Sequence, residues 1–82
     1  MTEKEAIEFV LRRAFTEKQL NVLRVFKRYN IVTPTIVTYE VNINIKDADL
    51  VLQQLCKKEV IEKIHRGYYK LTEIGAKVIS LL

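Results

Sequence analysis

The chain has 82 residues, a formal net charge of +4 and a hydrophobic fraction of 49%, with two glycines, one proline and one cysteine. This length allows at most one domain with a small core, and a single cysteine excludes an internal disulfide. The positive charge is compatible with a polyanionic partner and also with an ordinary small protein, while no apolar run is long enough to cross a bilayer.

Two amphipathic helices are predicted at the start of the chain. Residues 3–14 follow Thr2, a good N-cap, and carry glutamates in the first turn. The apolar face of this helix consists of Ala6, Ile7, Val10, Leu11 and Ala14. Phe9 falls on the opposite face, where it is either simply exposed or meets a partner subunit. Residues 17–29 form a second helix, capped by Thr16, whose wide apolar face predicts a buried central helix.

The segment TPTIVTYEVNINI, residues 33–45, supports two interpretations. Apolar and polar residues alternate from Val37 to Ile45, which is the pattern of a half-buried β-strand. Thr33 followed by Pro34 is, in contrast, a favourable helix start. The local pattern favours the strand, because β-branched residues disfavour a helix by roughly a few tenths of a kcal/mol each, although packing can override that preference.

A clearer helix is predicted at residues 46–58. Its inward face consists of Ala48, Val51, Leu52, Leu55 and Cys56. Its solvent face consists of Lys46, Leu50, Gln53, Gln54 and Lys57. This helix therefore combines a strong packing face with an exposed face that is rich in hydrogen-bonding groups.

The C-terminal third is predicted to contain a hairpin and a last helix. VIEKI and YYKL, residues 60–64 and 68–71, are two short strands with Arg66-Gly67 at the tip of the hairpin. Among their apolar residues Ile61, Ile64, Tyr69 and Leu71 are expected to point into the core. Residues 72–82 form the last helix, capped by Thr72.

Three segments resemble the winged helix-turn-helix family of DNA-binding domains, especially small archaeal and archaeal-virus transcription regulators. TEKQLNVLRVF resembles the first core helix, and VLQQLCKKEVIEKI the end of a recognition helix that runs into the first wing strand. HRGYYKLTEIGAKVI resembles the wing, its Y-x-L-T-x-x-G return strand and the last helix. The resemblance implies that residues 34–41 are helical, against their local alternation, because counting back from Leu52 places Ile43 at the buried aliphatic position of the turn.

The implied fold is α+β and mainly helical, a winged helix-turn-helix with an extra N-terminal helix and a two-stranded wing. Residues 1–82 would form one winged-helix domain. Its parts are an N-terminal helix at 1–15, a helical core at 16–59 with the helix-turn-helix at 34–58, a wing hairpin at 60–71 and a C-terminal helix at 72–82.

The resemblance implies sequence-specific binding of double-stranded DNA by a transcription regulator, with the recognition helix in the major groove and the wing on the backbone or in the minor groove. The residues expected to contact DNA are Thr35, Lys46, Asp49, Leu50, Gln53, Gln54 and Lys57, and in the wing Lys63, His65, Arg66, Tyr68 and Lys70. Thr33 is a further candidate for a phosphate contact. The alternative is a solvated helix face beside a charged hairpin that has no ligand.

Asp47 and Asp49 bear on the choice of partner. Each stabilises a helix N-terminus by about 0.3–1 kcal/mol, but each also stands where phosphates would approach. Either this helix binds DNA only at selected sequences, or this face, which carries Leu50 beside the two aspartates, docks a protein. The alternative function is therefore a winged-helix protein–protein interaction module in transcription or replication machinery.

A homodimer is expected, because the first helix lies outside the family's minimal unit and the C-terminal VISLL leaves apolar surface uncovered. The residues expected at this interface are Phe9, Leu11, Ile79 and Leu82. The sequence shows no nucleophile–base pair, phosphate-binding glycine loop or metal-ligand cluster, so we expect no enzymatic activity, no metal and no cofactor. A lone cysteine without a signal peptide indicates a reducing compartment, hence an intracellular, cytoplasmic protein.

Overall fold

The computed structural model describes residues 2–82, which form five helices and a two-stranded antiparallel sheet. The elements are α1 (Glu3–Ala14), α2 (Glu17–Val25), α3 (Pro34–Val41), α4 (Ile45–Lys57), β1 (Ile61–His65), β2 (Tyr68–Leu71) and α5 (Glu73–Ser80). This is the predicted α+β, mainly helical architecture. Within residues 2–82, no helix is long and apolar enough to span a membrane.

Every helix begins at a side-chain cap. The capping residues are Thr2, Thr16, Thr33, Asn44 and Thr72. Each accepts a hydrogen bond from the backbone N–H three residues later, a group that has no partner inside the helix. At Thr16 the arrangement is reciprocal, because its N–H donates to Gln19 Oε1 at 3.1 Å. The helix starts are therefore determined locally.

The second helix is shorter than the predicted span of residues 17–29, since α2 ends at Val25. The chain continues as a hydrogen-bonded turn, and two side-chain contacts attach it to α3. The Tyr29 hydroxyl donates to Glu40 Oε1 on α3 at 2.6 Å, a hydrogen bond that is the main cause of the raised pKa of Tyr29. Arg28 Nη1 donates to the same carboxylate at 3.0 Å.

The segment that supported two interpretations, residues 33–45, contains the helix α3. The family resemblance implied this helix, whereas the local alternation favoured a strand. Val37 is fully buried, and Val41 and Ile43 pack against the core. Asn42 ends α3 with a left-handed φ of 60° and produces the turn into α4. Burial of a valine or isoleucine is worth about 1.5–3 kcal/mol, more than the helix propensity that these β-branched residues lose.

The hairpin turns at Arg66-Gly67, as predicted, and Gly67 has a φ of +80° that favours glycine. Ile61 and Tyr69 are buried, but Ile64 is 43% exposed, so its predicted core position is wrong. Residues three apart on a strand point to opposite faces, and Ile61 already occupies the inner one. Two backbone hydrogen bonds between Val32 and Tyr69, of 2.8 and 2.9 Å, attach the hairpin to the segment before α3.

The Y-x-L-T-x-x-G motif is explained by the packing of α5 beneath the wing. Tyr69 and Leu71 contribute to the core, and the Thr72 hydroxyl donates to the Glu59 carbonyl at 2.6 Å while also capping α5. Gly75 is buried, and a Cβ placed on it would lie 1.8 Å from the Val60 carbonyl oxygen. Only glycine lets the helix approach the chain this closely.

The first helix is attached to the body along a narrow contact. Leu11 is buried and Ile7 packs against the core, but Val10, predicted on the same face, is 61% exposed. The Lys58 ammonium group, at the C-terminal end of α4, donates to the Ala14 carbonyl and lies 4.8 Å from the centroid of the Phe15 ring. Three of the five residues of the predicted apolar face, Ala6, Val10 and Ala14, are therefore left exposed.

Candidate nucleic-acid interface

Helix α4 separates a buried side from an exposed side. Ala48, Val51, Leu52 and Leu55 are in the core, as predicted. The exposed side consists of Lys46, Asp49, Leu50, Gln53 and Lys57, with Ile45 in the first turn. Ile45 and Leu50 are 54% and 52% exposed, which places apolar groups among the polar ones.

Gln54, predicted on this exposed side, instead faces α2. It is half-buried, and its Oε1 accepts a hydrogen bond from Gln19 Nε2 at 3.0 Å. Asp47 is directed the same way, with one carboxylate oxygen 4.0 Å from Lys18 Nζ and 3.2 Å from Asn44 Nδ2. Both positions lie at the edge of the helical face that α2 covers, which the spacing within α4 does not reveal.

The wing presents its polar side chains to solvent. Lys63, His65, Arg66, Tyr68 and Lys70 are all exposed. Lys70 pairs with Glu62 across the strands at 3.3 Å, and the rings of His65 and Tyr68 have centroids 6.0 Å apart. Among residues 2–82, Lys63 and Arg66 have no carboxylate within 4.0 Å. The wing therefore carries two cations that are available to an external anion.

A groove of about 560 Å³ lies between α4 and the wing. Its lining includes Asp49, Gln53 and Lys57 from α4 and Lys63 and Arg66 from the wing. Gln53 Nε2 lies 3.5 Å from Asp49 Oδ2. Tyr69 also lines the groove, and its pKa is raised by burial and then by the nearby Asp49 carboxylate. The fold thus brings the predicted helix residues and wing residues together at one site.

Cys56 lies beside this groove and is half-buried. Burial raises the pKa of its thiol, and the nearby Lys63 partly opposes that shift. The thiol is consequently held in its neutral form, and Cys56 packs against the core as a small apolar residue.

The exposed side of α3 adds one residue that the sequence did not single out. Thr35 is exposed as predicted, and Tyr39, one helical turn later on the same side, is 86% exposed. Thr33 is half-buried, and its hydroxyl caps the Ile36 N–H at 3.2 Å. The sequence could have indicated Tyr39 by its position four residues after Thr35. That spacing places the two residues on the same side only if the segment is helical.

The predicted dimer residues fall into two groups. Leu11 and Ile79 are 7% and 9% exposed and belong to the core of the protomer, so they are not exposed contact residues. Phe9 is 54% exposed, and Leu82 is partly buried. The other large exposed apolar residues in these parts of the chain are Val10 on α1, Ile74 on α5 and Leu81 directly after α5.

Comparison with solved structures identifies the same fold in MarR from E. coli, in its reduced form, with a TM-score of 0.77 and 21% sequence identity. The match covers 95% of this chain and 60% of the MarR chain, so the chain spans about 60% of the length of that neighbour. No family model and no curated protein matches the sequence. The likeness confirms the predicted winged-helix fold; the archaeal or archaeal-virus character stays a prediction.

Proposed function

We propose that this winged helix is a transcription regulator that binds a specific sequence of double-stranded DNA. In this proposal α4 enters the major groove and the wing lies on the backbone or in the minor groove. The observation that supports it is the α4–wing groove, where Lys57, Lys63 and Arg66 converge with no carboxylate within 4.0 Å of any of them among residues 2–82. MarR, which shares the fold, is a winged-helix transcription regulator.

The proposed contacts divide into two kinds. The groove cations and Lys46 neutralise phosphates, and the exposed hydroxyls of Thr35 and Tyr39 donate to the backbone. Gln53 on α4 pairs with adenine, and Leu50 meets a thymine methyl group. The remaining proposed contacts are the exposed wing residues His65, Tyr68 and Lys70. The first kind supplies affinity for any duplex, and the second supplies the preference for one sequence.

The test is fluorescence anisotropy of the protein on a mixed-sequence duplex, repeated across salt concentrations. Each phosphate contact contributes about −0.9 to the slope of log affinity against log salt, so the three groove cations and Lys46 predict a slope of about −3.6 per protomer. A random duplex library should also yield a preferred site. Absence of binding at low salt together with no enriched site would contradict the proposed function.

The proposed regulator acts as a homodimer through α1 and α5. Phe9 and Val10 on α1 and Ile74 and Leu81 on and after α5 are 46–61% exposed. Leu81 lines one cavity with Leu11 of α1, so the end of the chain lies beside this helix. A second copy covers both surfaces at once, and the dimer then reads two half-sites about 34 Å apart.

Phe9→Glu is expected to weaken this dimer by at least about 30-fold, because aromatic anchors at interfaces are commonly worth about 2 kcal/mol or more. Analytical ultracentrifugation of the variant should show monomer where the parent protein is dimeric. Leu50→Glu is the matched control, since it introduces the same charge at a 52% exposed apolar residue on α4. A dimer that tolerates Phe9→Glu, or is lost in Leu50→Glu, would place the interface elsewhere.

A second function, docking of a protein partner in transcription or replication machinery, is favoured by the exposed Ile45 and Leu50 on α4. Leu50→Ala distinguishes the two functions. It removes the apolar contact without adding a charge, so it should affect DNA binding only at positions near a thymine methyl group, whereas a protein partner that uses Leu50 as an anchor would be lost. Either function places the protein inside the cell, in the cytoplasm, and neither involves catalysis or a cofactor.

A further inference from the structure

The two carboxylates in the N-terminal half of α4 have different surroundings. Asp47 is half-buried at the contact with α2, where it lies 4.0 Å from Lys18 Nζ and its backbone N–H is capped by Asn44. Asp49 is exposed in the α4–wing groove, and among residues 2–82 no cationic group lies within 4.0 Å of it. Only Asp49 therefore presents an uncompensated negative charge to the surface proposed to meet DNA.

An uncompensated carboxylate in this position has two effects on a duplex. It repels phosphates, because two like unit charges 4 Å apart interact by about 1 kcal/mol even in water. It also accepts hydrogen bonds, and in the major groove a carboxylate can accept one from the amino group of cytosine. The first effect acts on all DNA, and the second acts only where cytosine is present.

Gln53 contacts Asp49 on the exposed side of α4. Its Nε2 lies 3.5 Å from Asp49 Oδ2, so the contact involves only one of the two carboxylate oxygens. Both side chains line the groove beside Tyr69 and face the wing. Asp49 thus presents its other carboxylate oxygen from a helix rather than from a loop.

We propose, building on the DNA-binding function above, that Asp49 is a specificity-determining residue. Its carboxylate lowers affinity for arbitrary duplexes and selects a site that offers a cytosine amino group to the α4–wing groove. The repulsion is offset only where that hydrogen bond forms. Asp49 therefore increases the difference in affinity between the preferred site and all other DNA.

The test compares Asp49→Asn with Asp47→Asn, which has the same change of charge at a carboxylate that already lies near Lys18. Anisotropy on mixed-sequence duplex at low salt should show Asp49→Asn binding about fivefold more tightly than the parent protein, the factor equivalent to about 1 kcal/mol. Asp47→Asn should change this affinity by less than about twofold. Selection from a random duplex library should enrich one cytosine position with the parent protein and lose that preference with Asp49→Asn.

The outcomes separate the inference from the function on which it rests. If the parent protein binds duplex DNA but Asp49→Asn retains both its affinity and its cytosine preference, the role of Asp49 is wrong and the DNA-binding function stands. Equal tightening by the two variants would show an effect of net charge alone and would also overturn it. If neither the parent protein nor the variants bind any duplex, the proposed function itself fails. Circular dichroism checks that both variants keep the parent helix content.

Discussion

Replacing Lys57 and Arg66 together by glutamate is expected to lower the affinity for duplex DNA at least about 100-fold, equivalent to about 2.7 kcal/mol. Both side chains line the α4–wing groove, one from each wall. Reversal removes two phosphate contacts and introduces two charges that repel the backbone, so the salt slope should also become shallower by about 1.8. Anisotropy on the preferred duplex, measured across salt, gives both quantities.

The fold should tolerate this double substitution, because both residues are exposed. The matched control is Lys4→Glu with Lys27→Glu, which alters the formal net charge of +4 by the same amount at exposed positions outside α3, α4 and the wing. It should weaken binding by less than about threefold at physiological salt, where distant charges are screened. If the two double variants lose affinity equally, the groove is not the docking surface.

Gly75→Ala is expected to destabilise the protein by about 3 kcal/mol or more. In an open helix this change would stabilise by up to about 1 kcal/mol, because alanine is the better helix former. Here the new Cβ would lie 1.8 Å from the Val60 carbonyl oxygen and 2.8 Å from the Val60 carbonyl carbon. These are backbone atoms at the start of the wing, so α5 must move away from the sheet, and the contact energy lost exceeds the gain in propensity.

Thermal unfolding followed by circular dichroism measures this effect. A loss of about 3 kcal/mol lowers the Tm of a domain of this size by more than about 10 °C. Gly67→Ala is the matched control, because a Cβ there meets nothing within 4 Å and only the φ of +80° opposes it. That strain costs about 1–2 kcal/mol. A Gly75→Ala protein that is as stable as the Gly67→Ala protein would show that α5 does not pack this closely on the wing.

Stability and the candidate site are linked through the wing. The hairpin is held on one side by the two hydrogen bonds between Val32 and Tyr69, and on the other by Thr72, whose hydroxyl donates to the Glu59 carbonyl. These contacts determine where Lys63 and Arg66 lie relative to α4. We therefore expect loosening of α5 to impair DNA binding as well as folding.

Much of the local structure follows from the sequence itself. Threonine and asparagine caps mark the helix starts, and a side chain that binds the N–H three residues later acts within one turn. Arg66-Gly67 marks the hairpin tip because glycine adopts the positive φ that the turn requires. The inward face of α4 follows from the helical repeat, which needs no knowledge of the rest of the fold.

Other features were decided only when the elements packed together. Residues 34–41 alternate like a strand, yet burial of Val37 against the core makes them helical. Gln54 and Asp47 lie at the edge of α4, and the position of α2 alone decides that they face a neighbour while Asp49 faces the groove. The periodicity of a helix identifies which side chains share a side, but the helix or strand that covers each side comes from distant parts of the chain. The sequence by itself therefore determined where the elements begin and which faces are apolar, and tertiary packing decided which charges remain free.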